Sequence, residues 1–148
     1  MNNYKILNEQ LKQITLGVPH RIANLANASA LLFDALDNLN WAGFYLLEGD
    51  KLVLGPFQGK VACIEIPLGK GVCGTAAAQN RTLVVDNVHH FEGHIACDSQ
   101  SLSEIVVPIH ANGKVVAVLD IDSPLENRFF ETDRLGLEQF AHTIETIW

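Results

Sequence analysis

The sequence predicts an α+β domain on a largely antiparallel sheet, and three observations carry that reading. The elements run helix, helix, strands, helix, strands, helix rather than in strict alternation. At least two of the strand connections carry hairpin signatures. At 148 residues and 48% hydrophobic, the chain has enough apolar material for one compact core and no room for two. We therefore expect residues 1–148 to form a single domain, with no internal repeat or linker.

Leu7, Leu11 and Ile14 share a helical face, which predicts a first helix from about Asn3 to Leu16, broken by Gly17 and Pro19. Ile22, Leu25, Ala26, Ser29, Leu32, Phe33 and Leu36 predict a second, ending near Asp37 to Asn40. Trp41 to Leu47 and Leu52 to Phe57 read as a hairpin around Glu48-Gly49-Asp50. Val61 to Leu68 reads as a third strand, with Cys63 pointing away from its more apolar side. Gly69-Lys70-Gly71-Val72-Cys73-Gly74 opens a short helix, Thr75 to Asn80, and Arg81 to Asp86 reads as a fourth strand. Glu104 to His110 and Lys114 to Asp122 form the second hairpin around Ala111-Asn112-Gly113. One parity of that hairpin carries Ile105, Val107, Ile109, Val115, Ala117, Leu119 and Ile121, and should meet the helices. The other carries Glu104, Val116, Val118, Asp120 and Asp122, where a polar site can sit. A C-terminal amphipathic helix follows, marked by Leu137, Phe140, Ala141, Ile144 and Trp148, with Thr132 as its N-cap.

Between the fourth strand and the second hairpin lies a polar connection, from His89 to Glu104, far longer than compact domains normally use. Phe91, Ile95, Ala96 and Leu102 call for burial and no run of like charge occurs, so it reads as an ordered, functional loop. It holds three histidines and Cys97, a mixture suited to a reactive thiol. The bland alternative is an ordered loop around a buried, inert cysteine.

The formal net charge of -7 disfavours nucleic acid, which rewards clustered lysine and arginine. No apolar run approaches membrane-spanning length, and the N-terminus lacks a signal pattern, so a cytoplasmic protein is expected. Three cysteines in such a compartment read as metal ligands, redox thiols or core filler. Zinc ligands usually come in close pairs, and only His94 with Cys97 and His90 with His94 are so spaced, so no metal or other cofactor is expected. The glycine-rich stretch before Thr75 has the wrong order for a phosphate loop and reads as a tight turn, with Cys73 as filler. Trp41 and Tyr45 share a strand face and can wall an apolar pocket or simply pack a sheet.

Several segments together resemble the free methionine-(R)-sulfoxide reductases, a GAF-domain family. They are Asn40-Trp41-Ala42-Gly43-Phe44-Tyr45, Gly69-Lys70-Gly71-Val72-Cys73-Gly74-Thr75-Ala76, Gly93-His94-Ile95-Ala96-Cys97-Asp98, Ser103-Glu104-Ile105-Val106-Val107-Pro108 and Val118-Leu119-Asp120-Ile121-Asp122-Ser123-Pro124. The similarity runs from about Leu25 to Phe129, with Glu92 standing where the family pattern has proline. The resemblance implies a GAF-like fold, with helices on one sheet face and a loop-covered pocket on the other. It implies reduction of free L-methionine (R)-sulfoxide, with thioredoxin as reductant, and makes a homodimer plausible. Cys97 would attack the sulfoxide sulfur and Cys63 would resolve the sulfenic acid as a disulfide. Cys73 would be a second resolving thiol or a pocket wall. Glu104 and Asp120 would mainly take the substrate ammonium, and Asp122 the ammonium or the sulfoxide oxygen, which needs a proton as it departs. Trp41 and Tyr45 would hold the S-methyl end, and backbone N–H groups around Ile95 and Ala96 the carboxylate. The rival is a non-catalytic GAF sensor of a small ligand; GAF folds host such binders, and a sensor needs no pairing of Cys97 with Cys63.

Overall fold

A computed structural model describes residues 3–148, so Met1 and Asn2 of the expected N-terminal region lie outside it. Helix α1 (Tyr4–Thr15) begins where the Asn3 carboxamide accepts the Ile6 N–H at 3.2 Å. Helix α2 (Arg21–Ala35) follows, then strands β1 (Trp41–Glu48), β2 (Lys51–Gly59) and β3 (Glu65–Pro67). Helix α3 (Gly71–Gln79) leads to β4 (Leu83–Val85) and a short 3-10 turn, Val88–His90. The long loop then reaches β5 (Ser103–Ala111), β6 (Lys114–Ser123) and α4 (Glu131–Thr146). Every strand pair is antiparallel, in the order β3-β2-β1-β6-β5-β4. The fold is thus α+β, as the element order predicts.

Period-two alternation gives the sheet two different faces. Ile105, Val107, Ile109, Ala117, Leu119 and Ile121 join Ala42 and Phe44 against Leu7, Leu11, Leu25, Leu32, Leu137, Phe140 and Ile144 of α1, α2 and α4. Val106, Val118, Trp41 and Tyr45 face the other way, packing with Val72, Cys73, Ala76 and Ala77 of α3. Three helices therefore cover one face, while α3 and the long loop cover the other. Among the described residues no helix is long and apolar enough to cross a membrane.

Five local expectations are corrected. The stretch from Val61 to Leu68 pairs as a strand only over Glu65–Pro67. Gly59 turns the chain at a φ of 133°, which favours glycine. Beyond it Ile64 is 70% exposed, and Cys63 packs against the second core instead of pointing away from it. The expected sides of Val115 and Val116 are exchanged, because the β5–β6 register slips at Ile109/His110 and leaves Val116 as an extra residue. The short helix begins at Gly71, not Thr75. Thr132 does not cap α4; the Asp133 carboxylate reaches back and accepts the Phe130 N–H at 2.8 Å.

Candidate active site

Three central strands set the floor of the site by register alone. Trp41 of β1 lies opposite Asp122 of β6, which lies opposite Glu104 of β5. One step along, Gly43, Asp120 and Val106 form the next row, followed by Tyr45, Val118 and Pro108. Because alternate residues share a face, these rows bring two aromatics and three acids onto one surface. Gly43, opposite Asp120, lets β2 approach closely. A Cβ there would overlap Phe57, since β1 bulges against β2 between Gly43 and Tyr45.

The aromatic side chains also organise the segment after Gly59. Trp41 stacks on Tyr45 and Phe57, at centroid distances of 5.8 and 5.1 Å. Trp41 Nε1 donates to the Lys60 carbonyl at 3.2 Å, and the Tyr45 hydroxyl donates to the Cys63 carbonyl at 2.9 Å. Two side-chain donors thus replace the strand partners this segment lacks, and fix Cys63 at the rim. Cys97 reaches it from the long loop. The two are joined as a disulfide with Cα atoms 5.4 Å apart, across 34 residues of sequence.

Beneath the disulfide, Trp41, Tyr45, Cys73, Ile95, Glu104, Asp120 and Asp122 line a cavity of about 40 Å³. Ala96 is exposed beside it on the loop. Cys73 comes from α3, is fully covered, and its thiol donates to Glu104 Oε2 across 3.9 Å. Its Sγ and carboxylate oxygens of Glu104 and Asp120 lie within 4.8 Å of one another, the spacing of a three-donor metal grouping that sequence spacing had no means of revealing.

Burial dominates the electrostatics. It pushes Glu104 well above the usual carboxylate range, helped by the charges of Asp120 and Asp122. It does the same to Asp122, with Asp120 adding to the effect, and raises Asp120 as well. The Cys73 thiol is pushed up by burial and then by Asp120 and Glu104. Oδ1 of Asp120 and Oδ1 of Asp122 are buried with no hydrogen-bond partner. Acceptors buried without donors are costly, so this chamber favours a ligand that brings N–H groups and positive charge.

Three residues outside the expected set belong to the site. Asn40 Nδ2 donates to Asp98 Oδ2 at 3.0 Å and to Ser101 Oγ at 2.9 Å, and Ser101 Oγ donates to Asp122 Oδ2 at 3.2 Å. The only sequence signal was a polar residue directly before the apolar strand β1; nothing local links it to positions 98 and 101.

Fold and site together define a GAF-type ligand chamber, acidic at its floor and with one cysteine of a bonded pair in its wall. The family model described as "GAF domain" matches residues 9–148. The chain is 51% identical to the free methionine-R-sulfoxide reductase of Escherichia coli over 97% of its own length and 87% of that protein. The structure of fRMsr of Staphylococcus aureus in its reduced form is 53% identical, with a TM-score of 0.96, covering 99% of this chain and 96% of that one. The free methionine-R-sulfoxide reductase of Neisseria meningitidis in complex with its substrate is 44% identical, with a TM-score of 0.94, covering 97% and 87%. The chain belongs to the GAF-domain family of free methionine-R-sulfoxide reductases.

Proposed function

We propose that this chain is a single GAF domain that reduces free L-methionine (R)-sulfoxide to L-methionine. The observation that carries the reading is the Cys63–Cys97 disulfide, whose Cys97 lines a buried, acid-walled chamber. A sensor needs the chamber but not the cysteine pair, so the catalytic reading is the stronger.

In the reduced enzyme the Cys97 thiolate attacks the sulfoxide sulfur. The sulfur–oxygen bond breaks, oxygen passes to Cys97 as a sulfenic acid, and methionine leaves with its lone pair restored. A proton must reach the departing oxygen, and a carboxylic acid kept neutral by burial can supply it. Asp122 is assigned to that oxygen or to the substrate ammonium, while Glu104 and Asp120 take the ammonium. The unpartnered oxygens of Asp120 and Asp122 support an ammonium near these two acids, since it brings three donors. Trp41 and Tyr45 hold the S-methyl end, and the loop backbone at Ile95 and Ala96 receives the carboxylate. Cys73 is the chamber wall beneath them, or a second resolving thiol.

Cys63 then attacks the Cys97 sulfenic acid, water leaves, and the disulfide forms. Two electrons and two protons from a dithiol reopen it. We assign that role to thioredoxin, which suits a cytoplasmic enzyme, and a homodimer is the assembly the family suggests. The test is to incubate reduced protein with dithiothreitol and racemic free methionine sulfoxide. Methionine should arise from the R epimer alone; no methionine, or equal loss of both epimers, refutes the assignment.

A further inference from the structure

We propose that Asn40 is a positioning residue for the redox step: its carboxamide docks the loop that carries Cys97 in the place where Cys97 reaches Cys63. The inference rests on reading those two cysteines as an exchanging pair. It concerns their disulfide, not the sulfoxide.

Asn40 is itself anchored to the sheet. It lies one residue before β1, and its backbone N–H donates to the Asp122 carbonyl at 3.0 Å. From that fixed point its Nδ2 spends both protons on the loop, one on Asp98 Oδ2 and one on Ser101 Oγ. Asp98 directly follows Cys97. Residues 98–101 close on themselves as a turn, with the Ser101 N–H donating to the Asp98 carbonyl at 3.2 Å and the Gln100 N–H to Asp98 Oδ1 at 2.9 Å. One amide therefore holds a rigid turn whose first residue is bonded to the reacting cysteine. Ser101 Oγ continues the contact to Asp122 Oδ2, so the turn is tied to the floor of the chamber as well.

The orientation of that amide is fixed by its neighbours. Rotating it by half a turn would aim Oδ1 at the Asp98 carboxylate, acceptor against acceptor. In the orientation it holds, Oδ1 is buried with no partner. An orphaned acceptor is costly, and the two bonds made by Nδ2 are what hold the amide in that position. This is an arrangement that suits a docked loop and gains nothing once the loop departs.

Cys97 lines the chamber and is joined to Cys63 in one and the same arrangement, and opening the bridge frees its loop to leave the clamp. Contacts made in the disulfide arrangement and released elsewhere favour the disulfide over the dithiol. When dithiothreitol reduces the bridge, two electrons and two protons pass to Cys63 and Cys97 and the reagent closes as its cyclic disulfide. Removing the clamp should ease that reaction.

The experiment is a redox titration of the ligand-free full chain against dithiothreitol buffers, comparing wild type with Asn40→Asp and Ser101→Ala. Asn40→Asp keeps the side-chain shape, removes both donors and sets a carboxylate against that of Asp98. Its disulfide should be about tenfold easier to reduce, a potential about 30 mV less negative. Ser101→Ala, which leaves β1 untouched, should shift the same way by a smaller factor. Thermal unfolding of both redox forms is read alongside, and Asn40→Asp should lower the oxidised form's Tm more than the reduced form's. A wild-type potential in both variants, or an equal loss of Tm in the two forms with no change in potential, would mark Asn40 as merely structural and overturn the proposal. Since no sulfoxide is present, the result stands whether or not the chain reduces methionine sulfoxide.

Discussion

Glu104→Gln preserves the shape of a side chain that is only 7% exposed while deleting one of three neighbouring carboxylates. Carboxylate oxygens of Glu104 and Asp120 lie within 4.8 Å. Two full charges at that separation repel by roughly 3 kcal/mol at an effective dielectric constant of about 20. The ligand-free chamber escapes this repulsion by retaining protons, since burial raises all three acids and the charges of their neighbours add to the rise at Glu104 and Asp122. The folded chain therefore binds more protons than the unfolded one, whose carboxyls titrate near 4. The stability gained is complete below about pH 4 and is lost as pH rises through the raised folded-state values. Glutamine takes one acid out of that balance. The variant should match wild type near pH 4 and exceed it by roughly 2–3 kcal/mol at pH 8. Urea unfolding of the disulfide form across this range, at a common m-value, measures the difference. Catalysis should move the other way, because losing a charge-assisted contact of about 2–5 kcal/mol lowers kcat/KM by roughly 30-fold to several thousand-fold. Parallel stability curves for the two proteins, or a variant less stable at pH 8, would refute the account of a strained acid cluster.

Three further outcomes test the chemistry. Cys97→Ser should abolish methionine release even with excess dithiothreitol. Cys63→Ser should still release about one methionine per chain in a single turnover but fail to turn over with thioredoxin; a burst surviving in Cys97→Ser and lost in Cys73→Ser would reassign the nucleophile. N-acetyl methionine (R)-sulfoxide, which has no ammonium, should lose roughly 2–5 kcal/mol in log-ratio of kcat/KM against the free amino acid. Comparable rates would remove the carboxylates as the source of selectivity.

Regular elements with a clear period were legible from residues alone. The hairpins at Gly49 and Gly113 and the alternation of β5 and β6 put Glu104, Asp120 and Asp122 on one face before any coordinates, and register then placed them side by side. Alternation misled where something non-local intervened. Val61 to Leu68 alternates as a strand should, yet Gly59 turns the chain and the carbonyls of Lys60 and Cys63 are taken by Trp41 and Tyr45. Val115 and Val116 changed sides because a bulge costs one residue of register and no residue type in the strand announces it. The Asn40 contacts span 58 and 61 residues of sequence, so neither periodicity nor motif spacing could expose them. Cys73 read as filler because only the folded sheet brings it to Glu104.

The two faces of β5 and β6 answer to different demands. Ile105, Val107, Ile109, Ala117, Leu119 and Ile121 hold three helices in place, while from the same two strands Glu104, Asp120 and Asp122 line the chamber and Val106 and Val118 pack under α3. Since neighbouring residues point in opposite directions, the second set can be rewritten without disturbing the first. The hairpin is in this sense a cartridge: randomising positions 104, 120 and 122 alone should change the charge of ligand the chamber accepts on an unchanged scaffold. Insertions have the opposite effect. One extra residue in β5 upstream of Ile105 leaves the scaffold face intact but turns Glu104 away, whereas one inserted just after Ile105, with the rest of the strand held, turns Ile105 to the chamber side and Glu104 toward the core. Substitution should therefore be the productive route to new specificity on this sheet, and changes of strand length should almost always be lost.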